Sequence, residues 1–134
     1  MKWYEDPVYI QQCEKAVEVQ NEREATIGNV YYDMIDDRAY TLGATRKDGI
    51  RAFTPLQVSL ENDSRYTWLP TQSQLQAMVE VRGGLGVWDL FKQFGDWCGE
   101  WGGESGHFAT GEQLWLGFLM HEKYQKRWAG EDWE

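Results

Sequence analysis

Near the N-terminus, Tyr9, Cys13, Ala16 and Val17 recur at intervals of three and four, while Gln11, Gln12, Glu14, Lys15 and Glu18 fill the other face. That spacing predicts an amphipathic helix over residues 6–22. Asp6-Pro7 is a good start for it, with Asp as N-cap and Pro at the first helical position. From Ile27 the period changes to two. Val30, Tyr32 and Met34 alternate with Tyr31, Asp33 and Ile35, and Tyr and Val favour strands. Asp36-Asp37-Arg38 reads as a turn, and residues 39–45 as a second strand with Tyr40, Leu42 and Ala44 on one face. Lys47-Asp48-Gly49 is a further turn signal leading into a third strand over residues 50–53. Pro55 cannot donate to a sheet ladder and ends that strand; residues 57–60 offer a resumption. The short stretch Tyr66-Thr67-Trp68 follows the loop Glu61-Asn62-Asp63-Ser64.

The second half returns to the helical period. Thr71-x-x-Gln74 and Thr110-x-x-Gln113 are both capping boxes, in which each side chain satisfies an orphan backbone N–H at the other position. They predict helices over residues 71–81 and 111–127. A third lies between them over residues 87–98, with Leu90, Phe91, Phe94 and Trp97 directed inward. The last helix carries Leu114-Trp115-Leu116-Gly117-Phe118-Leu119-Met120. A helix that is apolar on nearly every side has to be surrounded by the rest of the protein, so it belongs at the centre. Glu112 in its first turn and Lys123, Lys126 and Arg127 near its end complement the helix dipole. The strands lie too close together for βαβ crossovers, which need a dozen or more residues. The predicted class is α+β: an N-terminal helix, a small antiparallel sheet of about three strands, and three C-terminal helices with the last one central.

Composition sharpens this picture. At 134 residues the chain is expected to form one compact domain, residues 1–134. Eight Trp, seven Tyr and five Phe make aromatic packing dominant in its core. Thirteen basic against twenty-two acidic residues give a net charge of −9, which disfavours direct binding to phosphate backbones or to anionic membranes. The two cysteines, Cys13 and Cys98, cannot make a disulfide framework and fit a reducing compartment. No signal-peptide pattern opens the chain and the longest apolar run is too short to span a bilayer. The expected location is cytoplasmic, without membrane attachment.

Candidate chemistry is sparse. Nine of the fourteen glycines lie between Gly83 and Gly111. Gly83-Gly84-Leu85-Gly86 precedes a helix but matches neither GxGxxG nor GxxxxGK[ST], so it reads as a connector. Cys98, Glu100, Glu104, His107 and Glu112 crowd the second Gly-rich stretch without recognised metal-ligand spacing. His121-Glu122 lacks the second helical His of a zinc protease. No cofactor, metal or catalytic residue is expected. Trp101, set among Gly99, Glu100, Gly102, Gly103 and Glu104, is the aromatic with fewest neighbours able to bury it. Aromatics beside acidic groups are typical of interfaces and sugar platforms, so Trp101, Glu100 and Glu104 are candidate binding residues. Trp133 in the tail Glu131-Asp132-Trp133-Glu134 joins them, with the alternative that Trp128 and Trp133 anchor the tail.

Three blocks are familiar together: residues 13–20 (CEKAVEVQ), residues 68–78 (WLPTQSQLQAM), and residues 112–120 (EQLWLGFLM) with Trp128-Ala129-Gly130-Glu131-Asp132-Trp133. They resemble short, functionally uncharacterised proteins encoded in phage and prophage genomes of Gram-positive bacteria. The resemblance implies a phage accessory protein and assigns no functional residue. The leading expectation is a non-catalytic cytoplasmic protein-interaction module with a protein partner, one form being acidic complementarity to a host protein's basic groove. The alternative is a small-ligand or carbohydrate-binding module using exposed Trp, and the third an enzyme whose site is assembled from non-contiguous residues. A homo-oligomer is compatible with any of these.

Overall fold

The computed structural model describes residues 2–43, 50–53, 63–79, 86–102 and 108–134, with only the backbone at Arg51, Phe53 and Trp101. These group into two compact units, Met1–Leu69 and Pro70–Glu134, and together they are α+β.

In the first unit a 3-10 turn, Trp3–Glu5, leads to α1 (Pro7–Lys15) and α2 (Val17–Gln20). Asp6 caps α1 as its sequence requires, its carboxylate accepting from Val8 N at 3.0 Å. The single helix expected over residues 6–22 is broken at Ala16, whose ψ of 71° leaves the helical region. The buried side chains also differ from those the spacing predicts. Val17, expected inside, is 58% exposed, whereas Gln12, Val19 and Gln20 are buried.

A hydrogen-bond set explains the break. The Gln20 carboxamide donates to Cys13 O at 3.1 Å and to Trp68 O at 2.9 Å. It accepts from Trp68 N at 2.8 Å. One side chain thus closes the end of α1 and both backbone groups of a strand residue.

The strands are β1 (Val30–Asp33), β2 (Arg38–Leu42), β3 (Arg51–Phe53) and β4 (Tyr66–Leu69), in spatial order β3-β2-β1-β4. Strands β2, β1 and β4 form an antiparallel trio, with Tyr32 opposite Ala39 and Tyr31 opposite Trp68. Thus Tyr66-Thr67-Trp68, read only as a short stretch, belongs to the third antiparallel strand, and β3 joins the far edge parallel to β2. A turn signal says that the chain bends, and leaves open which strand it then pairs with. The Lys47-Asp48-Gly49 turn and the resumption over residues 57–60 lie outside the described residues. Gln20 sits on the edge of β4, where it takes the place of a further strand; such unpaired edges otherwise recruit other chains.

The second unit contains α3 (Gln72–Met78), α4 (Val87–Trp97) running into a π-helical turn (Cys98–Gly102), and α5 (Gly111–Tyr124). The Thr71/Gln74 capping box is complete. Thr110 also accepts from Gln113 N, but the Gln113 carboxamide reaches one residue further back, to Ala109 N at 2.7 Å. Helix α5 is central to its unit, with Trp115 through Met120 all buried. It stops at Tyr124 because Gln125 turns left-handed at φ 53°, earlier than the predicted 127. Phe94 of α4 stacks on Trp115 with ring centres 3.8 Å apart and planes 4° from parallel. Phe118 meets Phe94 edge-on. Gly117 lets Phe108 and Trp97 close on α5, since a Cβ there would meet Phe108 at 2.5 Å and Trp97 at 2.9 Å.

Candidate functional site

Of the four residues singled out as binding candidates, the structure describes the side chains of Glu100 and Trp133. Glu100 is exposed on the π-helical turn. Trp101 occupies the same turn by its backbone, and its side chain, like all of Glu104, lies outside what is described. Trp133 is buried. Its ring lies 5.2 Å from that of Trp128, and the two residues form an isolated antiparallel bridge. Arg127 and Glu134 exchange backbone hydrogen bonds at 2.8 Å, and Ala129 N donates to Asp132 O at 2.9 Å. Gly130, at φ 100°, supplies the left-handed residue that so tight a return needs. The tail is therefore a clasp closed over two indoles.

A different surface emerges on α4. At 100° per residue its apolar side chains, from Trp97 and Leu90 through Phe94 to Val87, Phe91 and Trp88, fan over about 180°. Packing on one neighbour needs an arc of roughly 100°. Leu90 and Trp97 take the inner side and are buried. The surplus arc faces solvent: Trp88 is 80% exposed, Val87 68% and Phe91 47%. Trp88 is the most exposed aromatic ring among the described residues. Phe91 is anchored on its inner side by an edge-on contact with Trp115, centroids 5.6 Å apart. Phe91 was placed inward on spacing alone; it is half out because Trp115 needs only one edge of it. The signal for Trp88 was present in the sequence as the width of the arc.

Lys92, one turn beyond Trp88, is the exposed charge nearest this face, but the balance along the helix and its unit is acidic. Asp96 and Glu100 are exposed on the same helix and the turn that continues it, against one exposed cation, Lys92. Over residues 70–134 there are ten carboxylates and five basic side chains.

Several other titratable groups among the described residues serve the fold. Asp33 accepts from both Nε and Nη2 of Arg65, each at 2.8 Å, and from the amides of Ile35 and Asp36. It thereby closes the β1–β2 turn, and Arg65 with the two amides holds its carboxyl below the usual range. Complete burial drives the Cys13 thiol far above its ordinary pKa, and burial raises that of Cys98; both thiols are free. His121 packs against the Trp97 ring with Glu122 3.5 Å from its Nδ1, an ordinary helix-surface arrangement. Among the described residues no three His, Cys, Asp or Glu side chains gather as a metal site. Glu104 and His107 of the crowded Gly-rich stretch lie outside that set. No described helix is long and apolar enough to cross a membrane.

Comparison with known proteins adds no relative: no family model, no curated protein and no solved structure matches the chain.

Proposed function

We propose that this chain is a non-catalytic protein-interaction module, an accessory protein of the phage and prophage group it resembles, acting in the cytoplasm through the exposed face of α4. The observation that carries the reading is the Val87–Trp88–Phe91 surface. Trp is the residue type most enriched among those that dominate binding energy at interfaces. A helix bearing apolar anchors at i and i+3 suits insertion into a groove.

The size and charge of the face point to the kind of partner. At the exposures above, the Trp88 and Phe91 rings offer about 300 Å² of aromatic surface. A self-sufficient interface needs about 800 Å² per partner, so two copies meeting at this face alone would fall well short. A groove that wraps the helix supplies the remaining area. With ten carboxylates against five basic side chains over residues 70–134, the matching groove is apolar at its floor and rimmed with Lys and Arg, as in proteins that handle nucleic acids.

The test is capture from a bacterial lysate with the wild-type chain and with Trp88→Ser side by side. A protein with a basic groove, held by the wild type, released by added salt and lost from Trp88→Ser, would support the reading. Retention of the same proteins by both chains would refute a role for this face. Sedimentation showing a Trp88-dependent dimer would replace the partner by a second copy.

A further inference from the structure

The β1–β2 hairpin and the 3-10 turn Trp3–Glu5 bound a cleft of about 420 Å³ within the first unit. Its origin lies in the strand register. Tyr32 stands opposite Ala39, so a large ring faces a methyl group and the space beside the ring stays open. Buried Ile50 completes an apolar floor, and the buried Tyr4 adds a second aromatic ring. Glu5, Asp37 and Arg38 provide the charged part of the lining. The volume falls in the range of small-molecule sites, about 300–1,000 Å³.

Three features select the charge of an occupant. Two carboxylates outnumber one guanidinium in the lining. The faces of aromatic rings attract cations through their quadrupole, as the Tyr4 ring does the Lys2 ammonium, 5.6 Å from its centre. The chain as a whole carries −9, which raises the local concentration of cations near its clefts. The Asp37 carboxylate is also held in place, because the Tyr32 hydroxyl donates to its Oδ1. Burial and the adjoining Asp37 push the Tyr32 phenol up to about 12, so it remains a protonated donor at neutral pH.

We infer that this cleft binds an organic cation, an ammonium or guanidinium group paired with Asp37 and Glu5, whose aliphatic stem lies over Ala39 and Ile50 beside the tyrosine rings. The site shares no residue with the α4 face and stands or falls independently of it. The same chemistry is offered by free alkylamines and by Lys or Arg side chains of a polypeptide.

The experiment is an NMR titration of the full chain, following the Ala39 methyl and the Tyr4 and Tyr32 rings. The probes are butylammonium, N-acetyl-lysine methylamide, 1-butanol as the neutral analogue of equal length, and butyrate as the anion. Saturable shifts at Ala39 and Tyr32 are expected with both amines, at affinities about tenfold above that for 1-butanol, with butyrate silent. Tighter binding of the lysine derivative would assign the cation to a polypeptide, and tighter binding of butylammonium to a free amine; either supports the inference. Asp37→Asn keeps an acceptor for Tyr32 and suits the left-handed backbone at φ 58°, since Asn tolerates that region. It should weaken amine binding about fivefold while leaving 1-butanol unchanged. Ala39→Phe fills the space and should abolish all shifts. An unsaturable response to butylammonium at tens of millimolar, a 1-butanol response equal to the amine's, or full amine affinity in a folded Asp37→Asn, Glu5→Gln chain would overturn it.

Discussion

The two units are held by different kinds of contact. In residues 70–134 the centre is a set of aromatic rings on α4 and α5, with Phe94 stacked on Trp115 and Phe118 edge-on to Phe94. In residues 1–69 the decisive ties are polar and reach far along the chain. Gln20 clamps Trp68, forty-eight residues away, and Asp33 binds Arg65, thirty-two residues away. The hydrophobic burial that drives ring packing is non-directional, and several ring arrangements satisfy it. A buried amide satisfies its partners only in one placement, and a helix has been broken at Ala16 to achieve it. The second unit is thus specified by what its helices are made of, and the first by where a few polar side chains land.

The contrast can be broken most forcefully in the ring cluster. Trp115→Ala removes the ring that Phe94 stacks on and leaves a cavity in the most buried helix, which should cost about 3–5 kcal/mol. Urea unfolding followed by near-UV circular dichroism measures this, and a loss under about 1 kcal/mol would mean that the cluster is not the centre of its unit. In the first unit Gln20→Leu keeps the volume and removes every hydrogen bond of the clamp. The N–H and C=O of Trp68 are then left on a buried strand edge, at an expected cost of about 2–4 kcal/mol. Hydrogen exchange at the Trp68 amide gives the specific readout: its protection should collapse to near that of a free strand edge, while amides within α5 keep theirs. Unchanged protection in a folded variant would show that Gln20 does not close the edge.

This division also decides what was legible beforehand. Helix α5 was legible as a buried, central helix because seven consecutive non-polar residues and a Thr-x-x-Gln start are local signals; the expectation set it at the centre of the whole chain, and the structure shows it central to the unit of residues 70–134. The caps at Asp6 and Thr71 were legible for the same reason. The break at Ala16 was not, since Tyr9, Cys13, Ala16 and Val17 continue the helical spacing across it. The reason for the break is a bond to Trp68, which no window of the sequence contains. Strand β4 was read only as a short stretch because four residues carry little period, and its pairing with β1 is again long-range. At the candidate sites the outcome followed the kind of evidence. Trp133 stood in a tail with no helical or strand period to judge by, and the clasp with Trp128 was one of two open readings. Trp88 sits on a helix whose apolar arc is wider than one neighbour can cover, a signal present in the spacing but masked by the habit of counting apolar residues as core. The cleft beside Tyr32 depends on its register with Ala39, which the strand pattern alone leaves undetermined.

A smaller effect sharpens the polar side of the comparison by separating charge from shape. Asp33 is the carboxylate of the ties described, held low chiefly by the Arg65 guanidinium. A carboxyl whose pKa is lower in the folded than in the unfolded chain adds stability above the unfolded value, about 3.9, and loses that contribution as pH falls through the folded one. Asp33→Asn keeps the side-chain oxygen facing the amides of Ile35 and Asp36 but cannot titrate. The wild type should therefore lose more stability than Asp33→Asn between pH 5 and pH 2, with the two curves converging at the acid end. Urea midpoints across that range measure it. Parallel curves would mean that Arg65 contributes through its geometry and not its charge.

The smallest expected effect on the fold belongs to Trp88, and it bears most directly on function. Its ring is 80% exposed, so Trp88→Ser removes little that folding has buried and should shift stability by no more than about 0.5 kcal/mol. The neighbouring Phe91, whose inner edge meets Trp115, should cost more on truncation, because part of that ring belongs to the core. If Trp88→Ser proved as damaging as a core substitution, the indole would be serving the fold, and the docking face would lose its anchor. If the fold is indifferent to it, the most exposed aromatic ring among the described residues stands at a position where the chain's own stability gains almost nothing. An interface that exists only when a partner is bound accounts for that placement, and loss of partner retention with stability unchanged is the pair of results that would separate it from an incidental exposed tryptophan.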